Sequence, residues 1–268
     1  MIDQRGFEYE RNSVRVLSKL NIATPDIAGA RHDMPDITLK DRLGKKGGCE
    51  LKITPTAAGS LVLKYYKGKG WAFGETENNE EKIFLQKLGE KNKVIQFLNS
   101  NWKNPALIND PVSGKKIFFG ETKPTDGLRR EAYARDLKKF GNKYINVSGN
   151  EIASYYNSKN TYYMNVGTHG FYLLNKDPLN INTKLTKQAT VPEVPQFGPN
   201  VKSDIRLRVQ YKGGGDYQFV MTMDFKGVTK SPYNVAPLPS KASVDVNVKM
   251  LKGGWSAAQK YFFVALIT

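Results

Sequence analysis

Met34-Pro35-Asp36-Ile37 and, beyond a glycine-rich stretch, Cys49-Glu50-Leu51-Lys52-Ile53 decide the fold of this chain. The first is a short apolar run ending in a carboxylate. The second places a carboxylate and an ammonium at alternate positions of an apolar segment. In a strand, successive side chains point to opposite faces, so Glu50 and Lys52 share one face while Leu51 and Ile53 turn to the core. Between the two runs, Asp41-Arg42-Leu43-Gly44-Lys45-Lys46-Gly47-Gly48 reads as the turn of a hairpin. Pairing the two arms would bring Asp36, Glu50 and Lys52 to one point at the sheet edge. The alternative reading is a strand with alternating salt-bridged charges, which does not explain why groups on both arms should converge.

Outward from the hairpin, composition sets the class. The chain has 268 residues, enough for one elaborated domain or a domain with an appendage. Lys and Arg number 41 against 25 Asp and Glu, a formal charge of +16. That excess points to a polyanionic partner, nucleic acid first and an anionic membrane surface second. A single cysteine, Cys49, excludes an intramolecular disulfide and a cysteine-rich zinc site. Met1-Ile2-Asp3-Gln4-Arg5 carries no apolar run and reads as no signal peptide, so a reducing, cytoplasmic setting is expected. The longest apolar stretch, Tyr261 to Ile267, is too short to span a bilayer and reads as a strand.

Periodicity supplies the remaining elements. Phe7, Val14, Leu17 and Leu20 predict a helix from Arg5 to Asn21, broken by Thr24-Pro25. A strand is expected at Ser60–Tyr66, two short helices over Asn79–Trp102, a strand at Lys116–Phe119 and a basic helix at Leu128–Phe140. From Tyr144 the texture turns to short β-like runs: Tyr162–Val166, Gly170–Leu174, Ile205–Tyr211, Tyr217–Lys226, Val244–Met250 and Tyr261–Ile267. Lys212-Gly213-Gly214-Gly215-Asp216 reads as a hairpin turn in preference to a phosphate cradle. The fold expected is α/β, a mixed sheet with flanking helices followed by a β-rich C-terminal region.

The first helix adds to the hairpin. Gly6-Phe7-Glu8-Tyr9-Glu10-Arg11 places two acids at a helix start, where the helix dipole favours them on structural grounds alone. The order of an acidic helix, Pro35-Asp36 and Glu50-Leu51-Lys52 resembles the PD-(D/E)xK nuclease superfamily, whose restriction endonuclease-like core is a mixed sheet flanked by helices. Gly6-x-x-x-Glu10-Arg11 looks like the first helix of archaeal Holliday-junction resolvases. Glu50-Leu51-Lys52-Ile53-Thr54-Pro55 looks like the catalytic strand of restriction and mismatch-nicking endonucleases. The resemblance covers residues 1 to 65, and the β-rich half departs from compact resolvases.

Residues 186–204, with Pro192, Pro195 and Pro199, read as a linker or loop between a PD-(D/E)xK-type catalytic domain expected over 1–185 and a β-rich region over 205–268, which would either extend the catalytic sheet or form a DNA-recognition module. The resemblance implies a Mg²⁺ site, in which Mn²⁺ would substitute, held by Asp36 and Glu50 with Glu10 or, second in preference, Glu8. Lys52 would stabilise phosphate charge or help generate the hydroxide. The activity implied is hydrolysis of double-stranded DNA by a restriction-like or homing-type endonuclease. The alternatives are a structure-specific resolvase or nickase, and a catalytically silent nucleic-acid-binding protein. A homodimer is expected, since symmetric sites call for symmetric proteins.

DNA contacts are assigned by charge and aromatic interleaving. Lys64-Tyr65-Tyr66-Lys67-Gly68-Lys69-Gly70-Trp71 offers Lys64, Lys67 and Lys69 to phosphates and aromatics to sugars or bases. Arg129 and Arg130 on the basic helix, and Lys45 and Lys46 in the hairpin turn, are further candidates; Arg206 and Arg208 share one strand face. His32-Asp33 lacks the further histidines of a phosphohydrolase, and His169 reads as a turn residue. Glu80-Glu81-Lys82 repeats the Glu-x-Lys spacing but in a helical context, as a solvated face.

Overall fold

The computed structural model describes residues 9–11, 35–41, 43–56, 58–167, 169–180, 182 and 193–231. It is a mixed α/β structure in two compact units, one drawn from Met1–Pro55, Ser148–Lys202 and Phe225–Thr268, the other from Thr56–Val147 and Ser203–Asp224. This division differs from the expected one at 186–204, because strands from both halves of the chain share each unit. The expected strands at Val244–Met250 and Tyr261–Ile267, most of the first helix, and Glu8 lie outside the described residues.

In the first unit, strands β1 (Ile37–Lys40), β2 (Lys46–Lys52), β8 (Thr161–Val166) and β9 (Gly170–Leu173) form a four-stranded sheet in that order. β1 and β2 make the expected antiparallel hairpin, with Ile37 opposite Cys49 and Lys40 opposite Lys46. Asp41 closes its turn: Oδ1 accepts the N–H groups of Leu43 and Lys45, and Gly44 takes φ +81°. The turn is shorter than the glycine-rich stretch. Lys46, Gly47 and Gly48 belong to β2, where a Cβ on Gly48 would meet Pro35 at 2.7 Å and the Asn160 carbonyl at 2.8 Å. These glycines serve close strand packing rather than chain reversal.

β8 lies parallel to β2, with Glu50 beside Met164 and Lys52 beside Val166. Parallel neighbours need a crossover connection, and its last element here is helix α4 (Gly149–Ser158), which buries Ile152, Ala153 and Tyr156. Helix α4 falls in a region whose tyrosines and asparagines suggest β-like texture; Ser148 caps it by accepting the Asn150 N–H. Residues 193–197, within the expected linker, are docked: Leu173 donates to the Pro195 carbonyl, Phe197 donates to Leu173, and Val194 and Phe197 are buried.

The second unit is a seven-stranded sheet in the order β6-β5-β3-β11-β10-β7, with β4 also pairing β3. Its strands are β3 (Ala58–Tyr66), β4 (Gly70–Phe73), β5 (Leu107–Asn109), β6 (Lys116–Phe118), β7 (Asn142–Ser148), β10 (Lys202–Gly213) and β11 (Asp216–Asp224). β10 and β11 form the hairpin expected around the triple glycine, with Gly213 opposite Asp216 and all three glycines at positive φ. The helices are α1 (Glu80–Lys91), α2 (Val94–Asn101) and α3 (Asp126–Phe140). α1 begins on Asn79, whose side chain accepts the Lys82 N–H, with Glu80 and Glu81 in its first turn and Lys91 in its last, a charge order the helix dipole favours.

Trp71, Trp102, Phe140 and Phe219 interlock at the centre of this unit, with ring centroids 4.9 Å apart for Trp71–Phe219 and 5.1 Å for Trp102–Phe140. Beside them Asp136 is fully buried and accepts the Ala106 and Leu107 N–H groups and the Tyr217 hydroxyl. Leaving a buried donor unpaired costs about 1–3 kcal/mol. Asp136→Leu strands three of them, so a loss of at least about 2 kcal/mol is expected in urea unfolding. A change within about 0.5 kcal/mol, the range of ordinary surface substitutions, would refute this role.

Candidate active site

The hairpin delivers its charged groups as strand alternation requires. Asp36 stands just before β1, and its Oδ2 accepts the Leu51 N–H at 2.7 Å, which ties the carboxyl across to β2. Lys52 Nζ lies 2.8 Å from Glu50 Oε1, and the two side chains are 15% and 14% exposed. The same ammonium sits 6.0 Å from the centroid of the Tyr156 ring on α4. Tyr9, Glu10 and Arg11 are helical. Tyr9 is buried and its hydroxyl accepts from Asn165 of β8 at 3.1 Å, so β8 anchors the segment that carries Glu10.

Electrostatics places Glu10 with the hairpin groups. Burial raises the Glu10 carboxyl above its ordinary range and the Glu50 charge raises it further, while Lys52 and Arg11 oppose the shift. Asp36 is pushed well up, first by burial and then by Glu50, with a smaller push from Glu10; Lys52 and the Leu51 N–H act the other way. Glu10 Oε2 is buried and has no hydrogen-bond partner among the described residues. Cys49 is fully buried behind this cluster, its thiol pushed up by burial and by Asp36 and Glu50, which makes it an inert core side chain rather than a nucleophile.

The hairpin brings Asp36, Glu50 and Lys52 together, and Glu10 lies within electrostatic reach of them, while Glu8 lies outside the described residues. Among the described residues no three His, Cys, Asp or Glu side chains are arranged to hold a metal ion. One oxygen of Glu50 is engaged by Lys52. The donor chemistry nonetheless fits a hard divalent cation. The site offers oxygen ligands only, its carboxyls repel one another, and one buried oxygen is unpaired.

A raised carboxyl pKa has a signed consequence. The folded protein keeps protons on Asp36 and Glu10 that the unfolded chain, with ordinary values of 3.8 and 4.5, has released. Folding therefore takes up protons, and the contribution of these groups to stability rises as pH falls through the raised values, levelling off below the ordinary carboxylate range. Thermal unfolding in a chelator should show this as an advantage of Asp36→Asn over the wild type that narrows as pH falls from neutral towards the ordinary carboxylate range. A difference that grows over that interval overturns the assignment.

The expected DNA-contact residues divide between the units. Lys45 and Lys46 are exposed on the β1–β2 hairpin of the first. In the second, Lys67 and Lys69 are exposed in the β3–β4 turn, Lys64 is paired with Glu75 at 3.1 Å, and Arg130 is exposed on α3. Arg129 lies 5.9 Å from the Phe118 ring centroid. Trp71, read as a residue that packs on sugars or bases, is instead core: it is 4% exposed and its Nε1–H donates to the Trp102 carbonyl. Arg206 and Arg208 do alternate on β10, with Arg206 Nε donating to Asn142.

His169 is a buried turn residue between β8 and β9, its carbonyl accepting from Ser231 and the Tyr172 hydroxyl. Lys82 pairs with Glu77 at the start of α1, as a solvated Glu-x-Lys repeat should. Sequence reasoning missed Tyr156. The spacing of Ile152, Ala153 and Tyr156 on one helical face was the available signal. No helix among the described residues is long and apolar enough to cross a membrane. Comparison with known protein families, curated proteins and solved structures finds no match for this chain.

Proposed function

We propose that this protein is a divalent-metal-dependent DNA endonuclease of the PD-(D/E)xK type, restriction-like or homing-type. The observation that carries the reading is the meeting of Glu10, Asp36, Glu50 and Lys52 at one hairpin, with the Glu10 and Asp36 carboxyls raised and Glu10 Oε2 unpaired. The order of the first unit supports it: a helical segment bearing the acid, the β1–β2 hairpin, then a helix and a strand parallel to β2. That is the order a restriction endonuclease-like core would have.

In this reading Asp36 and Glu50, with Glu10, hold Mg²⁺, and Mn²⁺ substitutes. Bound there, the ion supplies charge neutralisation at the phosphate oxygens and lowers the pKa of a water. Lys52 shares a strand face with Glu50 and is held beside it, so its ammonium can stabilise charge developing on the phosphate. Buried neighbours strengthen that contact by keeping bulk water from screening it. In-line attack at phosphorus breaks the bond to the 3′ oxygen and leaves a 5′ phosphate. The excess of basic residues favours a DNA substrate, and a homodimer would cut both strands. The second unit is the candidate recognition apparatus.

The placement of Glu10 beside the hairpin favours one second reading, a structure-specific nuclease of the resolvase or nickase kind. Supercoiled plasmid incubated with and without Mg²⁺ tests the proposal, and metal-dependent nicking or linearisation is the expected result. Intact plasmid at every metal tried would leave a silent nucleic-acid-binding protein. Discrete fragments from a long duplex would distinguish sequence-directed cutting from cleavage confined to junctions.

A further inference from the structure

A cavity of about 430 Å³ opens in the first unit on the β1–β2 hairpin. Pro35 and Thr38 line it from the first arm of the hairpin, Lys46 and Gly48 from the second, Lys159 from the turn after α4 and Tyr162 from the start of β8. Its position follows from register. Thr38 lies opposite Gly48, and each is two residues along its strand from Asp36 and Glu50. Alternation therefore puts Lys46, Gly48, Glu50 and Lys52 on one face of β2, with Asp36 and Thr38 on the same face of the first arm. A two-residue strand repeat is about 6.6–6.8 Å, so the cavity begins within one nucleotide's reach of the carboxylates.

Its chemistry is opposite to that of its neighbour. Glu10, Asp36 and Glu50 act on one another as like charges, whereas no residue lining the cavity is acidic and two are lysines. Lys46 is exposed. Lys159 is steered by Tyr155, whose ring centroid lies 4.7 Å from the ammonium. The wall is held close to β2 by the Gly48 N–H, which donates to the Asn160 carbonyl at 3.0 Å, and by the absence of a side chain at Gly48. Tyr162 donates its hydroxyl to Asn160 Oδ1 at 3.0 Å, which fixes an aromatic surface at the rim. A cationic pocket with an apolar rim, adjoining a site whose acids would bind metal and scissile phosphate, suits the next sugar-phosphate along the strand.

We infer that this cavity is a subsite for the phosphodiester flanking the one that is cut, with Lys46 and Lys159 as its cationic contacts and Pro35 and Tyr162 against the sugar. The inference rests on the nuclease reading for its substrate. It assigns Lys159, which no sequence pattern singled out, and gives Lys46 a definite partner.

Binding separates this subsite from general basic charge. Fluorescence anisotropy of a labelled short DNA duplex would be measured with Lys52→Ala protein in a chelator, so that no cutting intervenes. In that background Lys46→Ala/Lys159→Ala is compared with Lys87→Ala/Lys230→Ala, which removes the same charge from two exposed lysines elsewhere. The cavity pair should weaken binding about tenfold or more, as expected when hydrogen bonds to a charged group are removed. It should also flatten the salt slope by about one unit for each phosphate no longer neutralised. Lys46→Arg/Lys159→Arg should keep most of the affinity, which guards against misreading a folding defect. Equal losses for the cavity and control pairs, or an arginine pair as weak as the alanine pair, would overturn the subsite. Plasmid cutting by the wild-type protein with equal losses sinks the subsite and leaves the nuclease. Cavity-dependent binding by a protein that never cuts sinks the nuclease and the flanking role with it, and leaves the cavity as a phosphodiester-binding site alone.

Discussion

Lys52→Ala is expected to bind DNA and fail to cut it. The ammonium lies 2.8 Å from Glu50 and is 15% exposed, so it acts largely out of the screening reach of bulk water. Removing one preorganised donor from the position where charge develops costs about 10²–10³ in rate. Affinity should change little, because a single group among the many basic residues of a +16 chain contributes a small share of phosphate attraction. The variant also releases Glu50 Oε1 from its ion pair, which adds to the repulsion among the carboxyls and should make metal-free protein less stable. Single-turnover cleavage and anisotropy on the same duplex separate these effects. Unchanged turnover would remove Lys52 from the reaction.

Asp36→Asn should give the opposite pair of outcomes, a more stable metal-free protein that no longer responds to metal. The carboxyl of Asp36 is pushed well up by burial and by the charges of Glu50 and Glu10, so at neutral pH its ionised form works against folding. An asparagine side-chain oxygen can still accept the Leu51 N–H that Asp36 accepts at 2.7 Å, while the charge is gone. In a chelator the thermal midpoint of the variant should therefore lie above that of the wild type. Added Mg²⁺ should raise the wild-type midpoint, since a ligand at a hundred times its Kd stabilises by about 2.7 kcal/mol, and should leave the variant almost unmoved. A variant that is less stable in chelator, or that keeps the full metal shift, would contradict the site. Stability traded for function at one residue is common where like charges are assembled for a ligand.

How far the chain could be read without its structure varied by element. The β1–β2 hairpin, β3, the two helices over 80–101, β6, α3 and the β10–β11 hairpin all announce themselves through local pattern, because each couples a clear apolar period to a recognisable stop such as Gly213-Gly214-Gly215. β4 and β5 are too short for period to register, and α4 is hidden by tyrosines and asparagines whose helical state depends on burying Ile152, Ala153 and Tyr156. Trp71 misleads for a related reason. Lysines and tyrosines around it suggest a surface, yet the ring is enclosed by Trp102, Phe140 and Phe219, which come from distant parts of the chain.

The sequence by itself determined that Asp36 and Glu50-Leu51-Lys52 occupy facing arms of one hairpin. Strand alternation and turn chemistry are local, and a local rule needs no knowledge of the rest of the chain. Tertiary structure decided three further matters: that Glu10 comes within electrostatic reach of them, that Tyr156 lies beside Lys52, and that a cavity lined by Lys46 and Lys159 opens on the same hairpin. Each depends on β8 pairing parallel to β2 across more than a hundred intervening positions, with most of a second unit placed between them in the chain. Pairings of that range are selected by burial of the whole sheet, and no short window of residues carries the information that selects them.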